Sequence, residues 1–327
     1  MQRLPALLAL AFAVAGCGAQ PYLLGTTGTH LLTTRDVVAT PGERVRLVAR
    51  LQGGDFLQDR PGHVILFAAD GQPVRAAQTG EDGRAVCSFT PAASGDYLFA
   101  VRAAPAGFPD RPPEPQELRV TCRAPDAPMA VVDLDRTLVA GGFQAVLVGD
   151  PEPLAGSAAV MERLAQGHTI LYLTHRPDFF SVKSKAWLRA HGYAPGPVLL
   201  STTSGFLEGS RAYKTEALAA LRERFREIRV GIGDKPSDAL AYHVSGLKSI
   251  LILHPPVTDE PADFTELAET LRGLPEDVHV VADWQEVGQA LFGGGAFPPG
   301  RIADRLARRA EQLKARAATR PAEGETP

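Results

Sequence analysis

The sequence lacks features that would place it in several simple classes of protein. Its formal net charge is only −3, and we find no basic patch, so no nucleic-acid partner is predicted. After the N-terminal leader no run of about 18 apolar residues occurs, so no transmembrane helix is predicted there. A length of 327 residues, 45% of them apolar, suits two domains with packed cores.

Cysteine is also scarce: the chain has three, and the two beyond the leader are Cys87 and Cys122. Both occur in strand-like stretches of one predicted domain. A disulfide persists in the oxidising compartment that an exported chain enters. The sequence leaves two alternatives open, a disulfide between Cys87 and Cys122 or two separate buried thiols.

The N-terminus carries a leader. Arg3 precedes an apolar run at 4–15, which predicts a signal peptide over residues 1–17. The residues before Cys17 resemble a bacterial lipobox, which implies cleavage before Cys17 and lipid attachment to its thiol. In such lipoproteins an aspartate directly after the cysteine retains the protein in the inner membrane, and this chain has Gly18 there. The resemblance therefore implies an exported, membrane-anchored lipoprotein in the outer membrane, facing the periplasm. A plain signal peptide with a chance cysteine is the alternative.

Short alternating apolar stretches separated by turn signals, such as Asp70-Gly71, predict an all-β domain over residues 36–124. Several short strands with regular turns favour an immunoglobulin-like sandwich. The stretch 83–101 resembles bacterial Ig-like adhesion or spacer domains. Residues 18–35, rich in Thr and Gly, are predicted to be a tether.

From Met129 strands and helices alternate, which predicts a parallel α/β sheet domain over residues 129–292. The residues after it, 293–327, form a basic C-terminal tail whose weak apolar stripe predicts a solvated or loosely docked helix; its basic face is an alternative contact for anionic lipid. The predicted strands are Ala130–Val132, Thr169–Thr174, Val198–Ser201, Ile228–Gly233, Ser249–His254 and Val278–Ala282. The predicted helices are Ser157–Gln166, Phe179–His191, Lys214–Phe225, Pro236–Val244, Asp263–Arg272 and Trp284–Phe292.

Two acidic segments follow predicted strands. Asp133 and Asp135 end the run that begins at Ala130, and their spacing places both side chains on one side. Two carboxylates this close are stable with a cation between them or with one protonated, and Mg²⁺ prefers oxygen ligands. Asp234 ends a later strand and Asp238 lies in the first turn of the next helix. An acidic loop and a helix N-terminal acid are the structural alternatives.

The run Asp133-Leu134-Asp135-Arg136-Thr137 resembles the first motif of the haloacid dehalogenase (HAD) superfamily, Asp-x-Asp-x-Thr. That family usually has Gly where this chain has Arg136. The resemblance implies a Rossmann-like domain and an aspartyl-phosphate phosphatase, with Asp133 as nucleophile and Asp135 as general acid/base. It further implies that Thr174 and Lys214 bind the phosphate and that Mg²⁺ is held by Asp133, the backbone carbonyl of Asp135, Asp234 and, directly or through water, Asp238.

The segments Leu173-Thr174-His175-Arg176-Pro177 and Gly233-Asp234-Lys235-Pro236-Ser237-Asp238 resemble the lipin/LNS2 branch of that superfamily. The branch contains Mg²⁺-dependent phosphatidate phosphatases and non-catalytic phosphatidate-binding modules. Few residues separate Leu138 from the next helix, which predicts little or no cap over the site. We therefore expect a phosphohydrolase acting on phosphatidate or another phosphomonoester at a membrane. The alternatives are a non-catalytic lipid-phosphate-binding module and an adhesion function of the Ig-like domain.

Overall fold

A computed structural model describes residues 29–54, 57–70, 72, 74–108, 111–142, 145–146, 149–202, 205–206 and 209–319. The predicted leader and Cys17 lie outside these residues. The described chain forms a unit of two mainly antiparallel sheets, residues 30–122, followed by a unit with a parallel sheet, residues 129–319. We call them the β unit and the α/β unit.

The β unit contains two sheets. In the first, β3 pairs with β1, β4 and β7, all antiparallel. The second has the order β2-β9-β8-β5-β6, in which only the β2–β9 pairing is parallel. The strands are β1 His30–Arg35, β2 Val37–Ala39, β3 Val45–Gly53, β4 Gln58–Asp59, β5 Val64–Ala68, β6 Arg75–Gln78, β7 Arg84–Phe89, β8 Gly95–Ala103 and β9 Gln116–Cys122.

Alternation along these strands sends one side of each sheet into a shared core, since successive side chains point to opposite faces. Leu47 of the first sheet and Phe67, Phe99 and Val120 of the second belong to one fully buried cluster. The prediction of a tether over 18–35 is wrong for its last part, because His30–Arg35 forms strand β1.

Cys87 and Cys122 are free thiols, the first half-buried on β7 and the second buried on β9. They therefore belong to different sheets. Of the two alternatives that the sequence left open, the structure has the separate thiols and not the disulfide.

The α/β unit has a six-stranded parallel sheet in the order β12-β11-β10-β13-β14-β15. Its strands are β10 Met129–Val132, β11 Thr169–Pro177, β12 Val198–Ser201, β13 Ile228–Gly233, β14 Lys248–Ile252 and β15 His279–Val281. Its helices are α1 Ser157–Ala165, α2 Ser181–Ala190, α3 Ser210–Arg222, α4 Pro236–Val244, α5 Pro261–Arg272, α6 Trp284–Phe292 and α7 Pro299–Thr319.

Helices cover both faces of this sheet, which explains the continuous apolar runs of its strands. One buried cluster joins the sheet to α1, α2 and α6. Two others join the opposite face to α3 and α4 and to α5 and α7. The predicted strand and helix order is thereby confirmed, although β11 runs on to Pro177 and α3 begins at Ser210, one turn before Lys214.

The C-terminal tail is not loosely docked over 299–319. Helix α7 packs against α5, and its apolar stripe of Ile302, Leu306, Ala310 and Leu313 is buried. The prediction of a solvated helix is wrong because a stripe at helical spacing shows which face is apolar but not whether a partner covers it. Among the described residues, no helix has the length and apolar character needed to cross a bilayer.

The two units are joined by buried polar contacts around Asp36. Its carboxylate accepts hydrogen bonds from Lys185 Nζ at 2.6 Å and from the backbone amides of Arg119 and Val198, both at 2.9 Å. Val198 begins the edge strand β12, so Asp36 pairs a backbone donor that an edge strand leaves free. The β unit therefore covers one edge of the parallel sheet.

Candidate active site

The site residues come from the carboxyl ends of three neighbouring strands. Strand β10 lies between β11 and β13, with Val132 in register with Tyr172 and Ile232. Asp133 follows β10 and Asp234 follows β13, so both leave the sheet at the same edge and level. Open parallel sheets place their ligands at this edge.

Three carboxylates form a compact cluster there. Ligand oxygens of Asp133, Asp234 and Asp238 all lie within 4.8 Å of one another. Asp133 and Asp238 are buried, and the side chain of Asp234 is only 6% exposed. Asp238 comes from the first turn of α4. The structure thus brings together three of the four predicted metal-binding residues by their side chains.

Lys214 lies inside this cluster. Its fully buried Nζ donates to Asp238 Oδ2 at 2.6 Å and lies 3.1 Å from Asp133 Oδ2. Burial alone would lower the pKa of Lys214, but the charges of Asp133 and Asp238 raise that pKa well above its ordinary value. Lys214 is therefore a permanent cation between the two carboxylates.

The cluster still has an excess of negative charge, because three carboxylates face the buried Lys214 and the half-exposed Arg136. Burial, together with the charge of Asp133, raises the pKa of Asp234 to about 7. Burial also raises the pKa of Asp238 against the opposing effect of Lys214. Asp234 Oδ1 and Asp238 Oδ1 are buried and have no hydrogen-bond partner among the described residues. Two orphaned carboxylate oxygens with surplus negative charge fit a divalent cation with oxygen preference.

Two glycines in β13 allow α4 to approach the sheet this closely. A Cβ on Gly231 would lie 2.3 Å from Cγ of Tyr242, and one on Gly233 would lie 3.0 Å from Cβ of Asp238. Any side chain at Gly231 would therefore displace α4. Since Asp238 is carried by α4, this close packing positions it against Asp133.

The side chain of Asp135 pairs with Arg176 and not with Lys214. Arg176 donates from Nε to Asp135 Oδ2 at 3.0 Å and from Nη2 to Oδ1 at 2.7 Å, and from Nη1 to Ser184 Oγ at 2.9 Å. Arg176 is 1% exposed, whereas Asp135 is half-buried. The sequence places Arg176 within the motif at 173–177 but predicts no role for it. A lone arginine in a sequence does not indicate which residue it pairs with.

Arg136 occupies the turn between Asp135 and Thr137 with φ +56°, a left-handed conformation that favours glycine. Its half-exposed side chain approaches Asp234, with Nε 3.8 Å from Oδ2. Its carbonyl accepts a hydrogen bond from His254 Nε2 at 2.5 Å. The turn therefore keeps a glycine-like backbone although it carries an arginine.

Thr174, the other predicted phosphate-binding residue, is fully buried in β11, where its Oγ1 accepts a hydrogen bond from the backbone amide of Arg176 at 3.4 Å. The next residue, His175, stacks on Phe206 at 4.9 Å between ring centroids. Burial lowers the pKa of His175, which favours the neutral form of the ring. Sequence reasoning did not single out His175.

The segment between Leu138 and α1 is short. Leu154 donates to the Leu138 carbonyl at 2.7 Å, and Ala140 donates to the Glu152 carbonyl at 2.9 Å. The chain thus folds back on itself before α1. A separate cap domain, which needs about 50 residues or more, has no room at this position.

Comparison with protein families matches residues 130–253 to the model described as PITM 1-3, LNS2 domain. The match covers less than half of the chain. It contains the three clustered carboxylates, Lys214 and Arg176. A comparison with curated proteins finds no match.

Solved structures with some similarity include tandem Ig repeats of Dlar, at 11% identity over 32% of this chain and 59% of that chain, with a TM-score of 0.23. A chimeric titin Z1Z2 has 18% identity over 31% and 98%, with a TM-score of 0.21. A Bifidobacterium dentium β-glucuronidase has 10% identity over 77% and 42%, with a TM-score of 0.26. The chain spans less than two thirds of the first and third structures, and scores of this size carry no argument. The family match, by contrast, supports an LNS2 domain of the HAD-like phosphatase group within this chain.

Proposed function

We propose that the protein is a Mg²⁺-dependent phosphohydrolase that acts on a phosphomonoester through an aspartyl-phosphate intermediate. The observation that carries the proposal is the convergence of Asp133, Asp234 and Asp238 on the buried Lys214. This convergence occurs inside the segment that matches the LNS2 domain. Burying three carboxylates costs free energy unless they are paired with a cation, so their burial here indicates a bound cation or a role in a reaction.

The architecture in this proposal has two parts. Residues 129–292 are a Rossmann-like HAD domain with little or no cap, supported by the parallel sheet with β10 near its centre. The β unit, residues 30–122, is an Ig-like sandwich, supported by two sheets with one shared core. Both family names are part of the proposal, because the order of strands in a sheet identifies a class of fold and not a fold family.

In the first step a carboxylate oxygen of Asp133 attacks phosphorus. The bond from phosphorus to the leaving oxygen breaks, and protonated Asp135 transfers its proton to that oxygen, so an alcohol leaves. Lys214 and Thr174 hold phosphate oxygens. Lys214 already lies 3.1 Å from Asp133, so its charge is in place where phosphate charge must approach.

In the second step water attacks the phosphorus atom of the aspartyl-phosphate. Asp135, now a carboxylate, accepts the proton of that water. The bond from phosphorus to Asp133 breaks, which releases phosphate and restores both aspartates. Because both oxygens of Asp135 accept from Arg176, this contact must loosen whenever Asp135 carries its proton.

Asp133, Asp234 and Asp238, with the backbone carbonyl of Asp135, would hold Mg²⁺. When bound, it offsets the charge between an anionic nucleophile and an anionic phosphate. The orphaned Oδ1 atoms of Asp234 and Asp238 support this assignment.

Phosphatidate is the substrate we favour, because the segment between Leu138 and α1 leaves no room for a cap domain and the matched family is the LNS2 domain. The location proposed with it is a lipid anchor at Cys17 on a membrane, facing the periplasm. An anchored enzyme would meet a lipid head group without having to extract the lipid.

A non-catalytic module that binds lipid phosphate is the second candidate. The observation that favours it is the double hydrogen bond from Arg176 to Asp135, which occupies the acid/base residue. Arg136, in place of the usual glycine, adds bulk to the same turn.

The test is phosphate release from phosphatidate vesicles and from p-nitrophenyl phosphate, with and without Mg²⁺. We expect Asp133→Asn to lose at least about a thousandfold in rate, the scale on which a covalent nucleophile matters. Asp126→Asn, at an exposed carboxylate between the units, is the matched control. Equal release by the wild type and Asp133→Asn would refute catalysis, and vesicle binding without release would select the binding module.

A further inference from the structure

A cleft of about 510 Å³ lies between the β unit and the α/β unit. One wall is formed by residues 35–38 and 43–46 of the β unit. The other is formed by residues 198–200 of β12 and by α3, including Tyr213, Ala217 and Leu221. The acidic cluster does not line it, and its volume is within the range of small-molecule sites.

The α/β wall of the cleft is apolar and incompletely covered. Leu199, Tyr213 and Ala217 pack on the buried core beneath them but remain half-buried. On the opposite wall Val37 is also half-buried. Apolar surface that stays accessible inside a concave site gains free energy when a chain of methylene groups covers it.

The rim of the cleft is cationic. Its charged lining residues are four arginines and two acids. Both acids are already paired, Asp36 with Lys185 at 2.6 Å and Glu43 with Arg224 at 3.0 Å. The remaining arginines, Arg35, Arg44 and Arg46, are exposed and form no ion pair with any described residue.

We propose that this cleft binds a single-chain anionic amphiphile, in other words an alkyl or acyl chain with a carboxylate or phosphate head. The head lies at the rim, where three guanidinium groups lack anions, because guanidinium pairs well with both head types. The chain lies on the half-buried apolar wall. The site is separate from the acidic cluster, so the proposal does not depend on phosphatase activity.

The experiment is titration calorimetry on the full chain, with a chelator that removes Mg²⁺ from the acidic cluster, using dodecyl phosphate and dodecanoate below their micellar concentrations. We expect both Arg44→Gln/Arg46→Gln and the cleft-filling Ala217→Trp to weaken binding at least about tenfold, a change of about 1.4 kcal/mol. Arg102→Gln/Arg308→Gln removes two exposed arginines outside the cleft and should bind like the wild type.

Three outcomes would overturn the proposal. They are no binding of either compound, equally tight binding of inorganic phosphate, and equally tight binding of dodecyltrimethylammonium. Binding of only one of the two dodecyl compounds supports the proposal and identifies the head group. Since Asp133→Asn leaves the cleft intact, it should bind dodecanoate, which is not a phosphomonoester, like the wild type, and this separates the result from any failure of the phosphatase assignment.

Discussion

Arg176 donates two parallel hydrogen bonds to Asp135, from Nε to Oδ2 at 3.0 Å and from Nη2 to Oδ1 at 2.7 Å. This fork geometry is the strong form of an arginine–carboxylate pair. Ser184 accepts the remaining bond from Nη1 at 2.9 Å. The orientation of the proposed acid/base therefore depends on a residue of the neighbouring strand β11.

Arg176→Lys should lower kcat about tenfold to a hundredfold with little change in KM, because an ammonium group cannot form the paired bonds that orient Asp135. Steady-state kinetics across pH measures this. Ser184→Ala, which leaves both contacts to Asp135 in place, is the matched control and should stay within about threefold. Faster turnover by Arg176→Lys would instead show that the two hydrogen bonds from Arg176 inhibit catalysis by Asp135.

Lys214→Met should lower the free energy of unfolding of the metal-free protein by about 3 kcal/mol at pH 8, because Asp133 and Asp238 would remain buried without their cation. Urea denaturation in the presence of a chelator measures this. The double variant Lys214→Met/Asp238→Asn should recover at least half of the loss. Equal stability of the wild type and Lys214→Met would contradict the ion-pair account.

The contribution of Asp234 to the free energy of unfolding of the metal-free protein should fall as pH rises from about 4 to about 7. The pKa of Asp234 is raised to about 7 in the fold against about 3.9 in an unfolded chain. Between these values the folded state holds a proton that the unfolded state has released, so the free energy of unfolding decreases with pH.

Asp234→Asn removes this titration. At pH 8 the free energy of unfolding of the metal-free variant should therefore be about 1–3 kcal/mol higher than that of the wild type. Unfolding curves at pH 5 and pH 8 with a chelator measure the difference, and Asp126→Asn is the control. Added Mg²⁺ should stabilise the wild type more at pH 8 than at pH 5, since the cation competes with the proton. Identical pH dependence in the wild type and Asp234→Asn would refute the assignment.

Arg136→Gly should stabilise the protein by about 1 kcal/mol, because φ is +56° at this position and glycine adopts that conformation without strain. The lost contact to Asp234 is long, at 3.8 Å and half-exposed, so it offsets little of the gain. Arg136→Ala also removes the charge but keeps a Cβ, and should show no gain. Thermal unfolding compares the three proteins, and equal stability of the Gly and Ala variants would contradict the strain argument.

The bounds of several helices and strands could be predicted from the local sequence. Helices Pro236–Val244 and Trp284–Phe292 and strands Val198–Ser201 and Ile228–Gly233 have the predicted bounds. Buried parallel strands require short continuous apolar runs, and helices have recognisable spacing and ends, so a window of a few residues contains this information. The same logic placed Asp133 and Asp234 at strand ends that face one ligand position.

What the chain determined by itself was therefore the order of strands and helices and the residue types at the strand ends. Only the tertiary structure decided that Arg176 holds Asp135, that α7 is docked on α5, that His30–Arg35 is a strand and that Asp36 pairs with Lys185. Each depends on a contact between positions far apart in sequence, up to 149 residues for Asp36 and Lys185. A charge or an apolar stripe requires a partner, but only the packing of the whole chain selects which one.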